Sequence, residues 1–268
     1  MDDASVLHGW PDGSAVIVAR SAARGTDYLV HVGDAALVRS WASVSKVAVA
    51  YAMARGVDAG VVDLESHVTD GATLAQVLSH CGGLGAERDD PRYPPGTRRV
   101  YSNVGIDLAV ASVTDAPSPW LRDNVWAPLG LSSCELVGRP AAGVHGSLED
   151  MTELALAWLR HDNLSPAVAT AFTSPFAPTL AGVVPGFGRF DPCAWGLGVE
   201  VHDTKHHWMG TIASPAAFGH FGQSGTLLLI DPTRSLVVSA AAGSPFGPWA
   251  VATWPAWMDE VIAWCDNT

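Results

Sequence analysis

Residues 41–55 read WASVSKVAVAYAMAR, and the reading of this stretch decides the fold. From Ser43 to Arg55 nothing breaks a helix and almost nothing gives it a polar face, so the stretch is expected as a helix closed by Gly56. A helix that is apolar nearly all round is a buried one. Yet it carries Lys46. The chain has 13 arginines and only two lysines, Lys46 and Lys205, so a plain positive charge is normally supplied by Arg. A guanidinium keeps its proton in a protein, whereas an ammonium can lose it, and burial favours the loss. Ser43 lies three residues earlier, on the same helical face. At a helix start the backbone N–H groups are unpaired and the dipole is positive, which suits a developing oxyanion. Ser43-Val44-Ser45-Lys46 thus puts a nucleophile, a base and part of an oxyanion hole within one turn. Taken alone, the motif fits equally well a helix with Ser43 as its cap and Lys46 reaching out to solvent.

Outward from this helix, Ser14–Ser21 and Asp27–Asp34 are β-branched runs that read as a hairpin. The middle of the chain is mainly helical, with helices expected at 74–80, 103–113, 119–126 and 148–160. The last begins at Ser147 with Asp150 three residues on, close to a capping box. Strands return at 195–202, 226–230 and 236–242, and a final helix is expected from Pro255, at its first turn, to Cys265. Strands, then helices, then strands imply an α+β fold with an antiparallel sheet made from both chain ends. Residues 1–60 and 195–268 would form the sheet and its packing helices, and 61–194 a small, mainly helical insert.

The bulk properties exclude several classes. A net charge of −12 over 268 residues opposes nucleic acid as a partner. The longest wholly apolar run, Val47–Ala54, is too short to span a membrane. No apolar run follows Met1-Asp2-Asp3-Ala4-Ser5, so no secretory signal is expected and the chain is read as cytoplasmic. Cys81, Cys134, Cys193 and Cys265 have no paired spacing and read as buried or half-buried thiols. His202, His206 and His207 could be imagined on a metal, but a solvated loop between strands is the simpler reading, and no metal or cofactor is expected. There is no Gly-x-Ser-x-Gly elbow, no His-Glu-x-x-His and no Gly-rich phosphate loop. Trp41 and Trp195 are candidates to line an acyl pocket, whereas Trp254, Trp257 and Trp264 read as core.

Three further segments accompany Ser43 and Lys46: Val77-Leu78-Ser79-His80-Cys81-Gly82-Gly83-Leu84, Tyr101-Ser102-Asn103, and His220-Phe221-Gly222-Gln223. In this order and spacing, from about residue 14 to residue 245, the chain resembles the serine β-lactamase and penicillin-binding protein superfamily. It is most similar to the branch holding class C β-lactamases, D-aminopeptidases and family VIII esterases, whose motifs read S-x-x-K, Y-x-N and K/H-x-G. The resemblance implies a β-lactamase/transpeptidase-like fold and an acyl-enzyme on Ser43. Lys46 and Tyr101 would form the proton-moving pair, either of them the base. Asn103 would bind Lys46 and the substrate. His220 and Gly222 would belong to the third motif, and Gln223 would give the second oxyanion N–H beside that of Ser43.

His220 stands where β-lactam-processing members carry a lysine that binds a carboxylate, and Phe221 stands in place of a hydroxyl. Both favour an esterase or amidase acting on a small ester or amide over a true β-lactamase or D-peptidase. A non-catalytic penicillin-recognising-type binding module is the alternative of another class. Oligomeric state is not read from the sequence.

Overall fold

A computed structural model describes residues 3–22, 25–69, 71–87, 90 and 92–268. Its centre is a six-stranded antiparallel sheet in the order Glu200–Val201, Phe218–Phe221, Thr226–Asp231, Leu236–Ala241, Ala15–Ala22, Gly25–Val32. Both chain ends supply strands, so the two termini meet at the pairing of Ala15–Ala22 with Leu236–Ala241, where Val18 faces Val238. The fold class is the one expected, an antiparallel sheet flanked by helices.

Alternation along the central strands divides two cores. Leu228, Ile230, Val237 and Ile17 face one core; Leu227, Leu229, Val238 and Val18 face the other. Because both faces are covered, these strands read as continuous apolar runs rather than as alternating ones. The first core packs the sheet on the helices Ser45–Asp58 and Leu148–Arg160. The second packs it on Pro248–Asp266, through Trp254, Trp257, Met258 and Val261.

The helix at 148–160 has the bounds expected, but its start is not a reciprocal box. Ser147 Oγ accepts the Asp150 N–H at 3.0 Å, while the Asp150 carboxylate takes the N–H and hydroxyl of Ser133, at 2.7 and 2.6 Å. The helix around Ser43 also differs from expectation. Ala42–Val44 is a 3₁₀ turn and the α-helix runs Ser45–Asp58, passing through Gly56, whose bare Cα meets Val62. Pro255 lies inside the last helix, and Pro248 holds the first-turn place expected for it. The buried stripe from Ala250 to Ile262 keeps the helix going past one missing N–H. The strand expected at 195–202 survives only as Glu200–Val201. Gly198, at φ 85°, closes a turn in which Trp195 pairs back to Glu200.

The cysteines are free thiols, three buried and Cys134 half-buried. The segment 202–207 is a correction: His202, Lys205 and His207 are buried, and of its three histidines His206 alone is exposed. Among the described residues no helix is long and apolar enough to cross a membrane.

The hairpin that carries the third motif is locked by Asp231, which is fully buried. Its carboxylate accepts from the Ser214 N–H and hydroxyl, the Thr233 and Arg234 N–H groups and the Arg234 guanidinium. Replacing it leaves the Ser214 N–H and hydroxyl buried without an acceptor and frees the Thr233–Arg234 turn. Asp231→Ala should lower unfolding stability by roughly 2–3 kcal/mol. Urea denaturation checks this, and a loss below about 1 kcal/mol would show that the cluster is not a structural lock.

Candidate active site

Ser43 is placed by ties from distant parts of the chain. Arg39–Ser40 pairs with Val144–Gly146, and Trp41 continues the contact through its N–H to the Val144 carbonyl, 2.8 Å, and its indole N–H to the Gly146 carbonyl, 3.1 Å. The Thr226 hydroxyl donates to the Trp41 carbonyl at 2.9 Å. Ala42 takes φ 45°, a strained value for a residue with a Cβ, and so turns the chain sharply into Ser43. Ser45 donates to the Ala42 carbonyl, 2.6 Å, and accepts the Val144 N–H, 2.9 Å. Gly222 fits beneath this turn because a Cβ there would lie 2.5 Å from the Trp41 carbonyl oxygen and 2.6 Å from Thr226 Oγ1.

Tyr101 is gripped from both sides by His80. The His80 carbonyl accepts the Val100 N–H at 2.8 Å, and His80 Nδ1 accepts the Ser102 N–H at 3.2 Å. One residue further back, the Arg99 guanidinium donates to the carbonyls of Ser79, Phe176 and Ala177. Ser102 caps the helix Asn103–Ala111, so Asn103 is its first residue and its side chain is directed by the helix start.

These elements bring the expected residues together. Tyr101 Oη donates to Ser43 Oγ at 2.8 Å. Lys46 Nζ lies 3.3 Å from Ser43 Oγ, 2.8 Å from Asn103 Oδ1 and 2.8 Å from the Ala141 carbonyl oxygen. Lys46 is 0% exposed, and among the described residues no carboxylate forms an ion pair with it. Burial lowers its pKa to about 7; Asp107 and Glu87 pull upward, and Arg139 adds to the lowering. The same burial raises the Tyr101 phenol above its usual value, against the opposing hydrogen bond with Ser43. Of this pair, the amine is therefore the group able to lie deprotonated near neutrality, and the phenol keeps its proton.

The acceptor count fixes the direction of the amine's lone pair. Asn103 Oδ1 and the Ala141 carbonyl can only accept, so a neutral Lys46 gives them its two N–H groups. The third tetrahedral position, towards Ser43 Oγ, is left for the lone pair.

Ser43, Tyr101, Asn103, Pro185, Trp195, Glu200, His220, Phe221 and Gln223 line a cavity of about 150 Å³. His220 is buried in the strand Phe218–Phe221, with Nδ1 2.6 Å from the Phe221 carbonyl oxygen. Burial, helped by the nearby Lys46, drives its pKa down to about 3, so the imidazole is neutral.

Of the residues expected here, Gly222 does not line the cavity. Its N–H donates to the Thr226 carbonyl at 2.8 Å, so its place is close packing under the Ser43 turn, not contact with substrate. Trp41 is likewise core, edge-on to Trp126, whereas Trp195 does line the cavity.

Sequence reasoning missed Glu200. Its carboxylate is 1% exposed and accepts from Lys205 and His207, each at 2.9 Å, and from the Trp208 indole at 2.8 Å. Burial would raise its pKa, but Lys205 first, and then His207 and Trp208, hold it below the usual carboxylate range. The signal was the second lysine: Lys205 is as deeply buried as Lys46 and called for a partner. Glu87, which accepts from Asn103 Nδ2 at 2.8 Å and from Arg139 at 2.9 Å, carried no such signal. Among the described residues no group of three or more His, Cys, Asp or Glu is arranged to hold a metal ion.

The family model described as Beta-lactamase matches residues 35–260. The crystal structure of a beta-lactamase from Mycobacterium bovis is 36% identical, with 98% of this chain and 99% of that chain covered and a TM-score of 0.92. A family VIII carboxylesterase has the same fold at 16% identity, covering 98% and 95% of the two chains, TM-score 0.76. A relative from Escherichia coli strain K12, provisionally named a D-alanyl-D-alanine carboxypeptidase, is 24% identical over 61% of this chain. The chain spans about half the length of the curated relatives it matches.

The lysine geometry is open to direct measurement. Labelling with [ε-¹³C]lysine should give two resonances, one of which disappears in Lys46→Met. That resonance should titrate with a midpoint near 7. A midpoint above about 9 would mean that the amine stays charged at neutrality.

Proposed function

From the premise that the chain belongs to the Beta-lactamase family, we propose that it is a serine hydrolase that cleaves a small ester or amide through an acyl-enzyme on Ser43. The observation carrying this reading is the contact of Ser43 Oγ with both Tyr101 Oη and a fully buried Lys46 Nζ.

Lys46, as the neutral amine, takes the proton of Ser43 as Oγ attacks the substrate carbonyl. The new C–O bond forms while the carbonyl π electrons move to oxygen. That oxygen is received by the N–H groups of Ser43, in the first helical turn, and of Gln223 at the cavity wall. Tyr101, holding its proton, donates to Ser43 Oγ and orients it. The leaving group departs with the proton carried by the Lys46–Tyr101 pair. Water then repeats the sequence on the acyl carbonyl, with the same pair as proton acceptor, and releases the acid. Asn103 keeps Lys46 in place throughout, itself held by Glu87.

A second reading, β-lactam hydrolysis, is favoured by the name of the Mycobacterium bovis relative. It is opposed by His220, a buried neutral ring where a carboxylate-binding ammonium would be needed. Nitrocefin turnover set against that of short-chain p-nitrophenyl esters separates the two.

Ser43→Ala should reduce p-nitrophenyl butyrate hydrolysis by about 10⁴-fold or more, with unchanged circular dichroism, and should end labelling by a fluorophosphonate. Tyr101→Phe should cost about 10²–10⁴ in kcat. As pH rises through about 7 the ammonium of Lys46 becomes the amine, so kcat/KM should climb along a single-proton limb centred there. Wild-type turnover in Ser43→Ala would overturn the proposal.

A further inference from the structure

The polar groups around the cavity form an almost closed account. Tyr101 Oη is spent on Ser43. Asn103 is spent at both ends, on Lys46 and on Glu87. Both Glu200 oxygens are taken, by Lys205 and His207 on one side and Trp208 on the other. Trp195, Phe221 and Pro185 make apolar walls, and neither lysine lines the cavity. One buried side-chain atom is left over: His220 Nε2 has no hydrogen-bond partner among the described residues, while the exposed carboxamide of Gln223, also in the lining, can turn either its oxygen or its N–H groups to a ligand.

The polarity of that atom follows from its ring. The Phe221 carbonyl can only accept, so the 2.6 Å contact requires the imidazole proton on Nδ1. A neutral ring has one proton, and His220 is held neutral by burial. Nε2 therefore carries a bare lone pair, on a ring that lines the cavity together with Glu200, whose carboxylate is held ionised. A second acceptor brought there meets lone pair against lone pair, with no cation among the described lining residues to offset it.

We propose that this cavity selects its substrate by hydrogen-bond polarity: it takes an ester or amide carrying a neutral donor, a hydroxyl or an amide N–H, seats that donor on His220 Nε2, and turns away a carboxylate. The selection rests on the hydrolase reading above, since it concerns what is presented to Ser43. A buried polar atom discriminates strongly because the wrong substrate leaves it unpaired, whereas an apolar wall separates similar groups only weakly.

The test uses matched sets of three: p-nitrophenyl esters whose acyl chains end in methyl, hydroxyl or carboxylate, and butyrate esters of alcohols with the same three ends. In at least one set the hydroxyl member should exceed the methyl member in kcat/KM by about tenfold, and the carboxylate member should fall about tenfold below it. His220→Phe should bring the hydroxyl and methyl members together, and His220→Lys should raise the carboxylate member. A wild-type carboxylate member equal to the methyl one, no hydroxyl advantage in either set, or an advantage that survives in His220→Phe overturns the proposal. Long-range ¹⁵N–¹H correlation on the wild-type protein at neutral pH should place the His220 proton on Nδ1. A proton on Nε2 overturns the proposal whatever the kinetics. If no ester is turned over and a fluorophosphonate leaves Ser43 unlabelled, the hydrolase reading fails, and the imidazole spectrum still decides the polarity of His220.

Discussion

A primary amine buried among neutral acceptors is the constraint on which the site depends. An isolated ammonium out of water is costly enough that a buried lysine commonly gives up its proton instead. Lys46 is in that position, closed off from solvent, with an amide oxygen and a main-chain carbonyl as its nearest acceptors. Neutral acceptors satisfy its N–H groups without stabilising its charge as an ion pair would. Charged groups stand one shell further out: Asp107 and Arg139 bind each other at 2.6 Å and largely cancel, which leaves burial as the dominant influence.

Such a placement demands rigidity, because a long side chain near a surface reaches water if its surroundings loosen. The rigidity comes from how many separate segments close on one turn. The Val144 carbonyl accepts the Trp41 N–H and its own N–H donates to Ser45 Oγ, so the strand that follows Lys46's carbonyl partner Ala141 is tied to the helix that bears Lys46. Thr226, from the far end of the chain, secures the Trp41 carbonyl, and Gly222 admits the turn without a clash. His80 fixes the residues on both sides of Tyr101, and its own left-handed backbone, φ 61°, is a strain that this double grip sustains. The cost of ordering these loops is met by the two cores on either side of the sheet, which is why an antiparallel sheet made from both chain ends is more than a scaffold here.

The parts legible in the sequence were those governed by local rules. The Ser-x-x-Lys spacing and the helix 148–160, with its serine cap, depend on neighbours a few residues apart, and both stand where the pattern puts them. Other elements were decided by distant contacts. Gly56 is a stop signal in isolation, but the helix continues because its bare Cα is the surface on which Val62 packs. Pro255 looks like a helix start until the buried stripe on both sides of it is counted. The run 195–202 has strand composition, yet Gly198 turns it where the chain must pass the Lys46–Ala50 turn of the helix. His202, Lys205 and His207 look solvated by composition and are buried: Glu200 collects Lys205 and His207, a partner that no local spacing announces, and His202 lies against the Gly210 carbonyl.

The two lysines make a comparison within one molecule. Each is buried and each donates to a backbone carbonyl, Lys46 to Ala141 and Lys205 to Ala194. They differ in the next acceptor: an amide oxygen for Lys46, a carboxylate for Lys205, at 2.8 and 2.9 Å. That single exchange separates an amine positioned to move a proton from an ion pair that braces the cavity wall. Scarcity of lysine in the sequence marked both positions as unusual, but it could not tell them apart. The type of oxygen facing the nitrogen does, and that depends on residues 57 positions away in one case and five in the other. Chemistry in this fold is therefore assigned less by the lysine than by what the rest of the chain delivers to it.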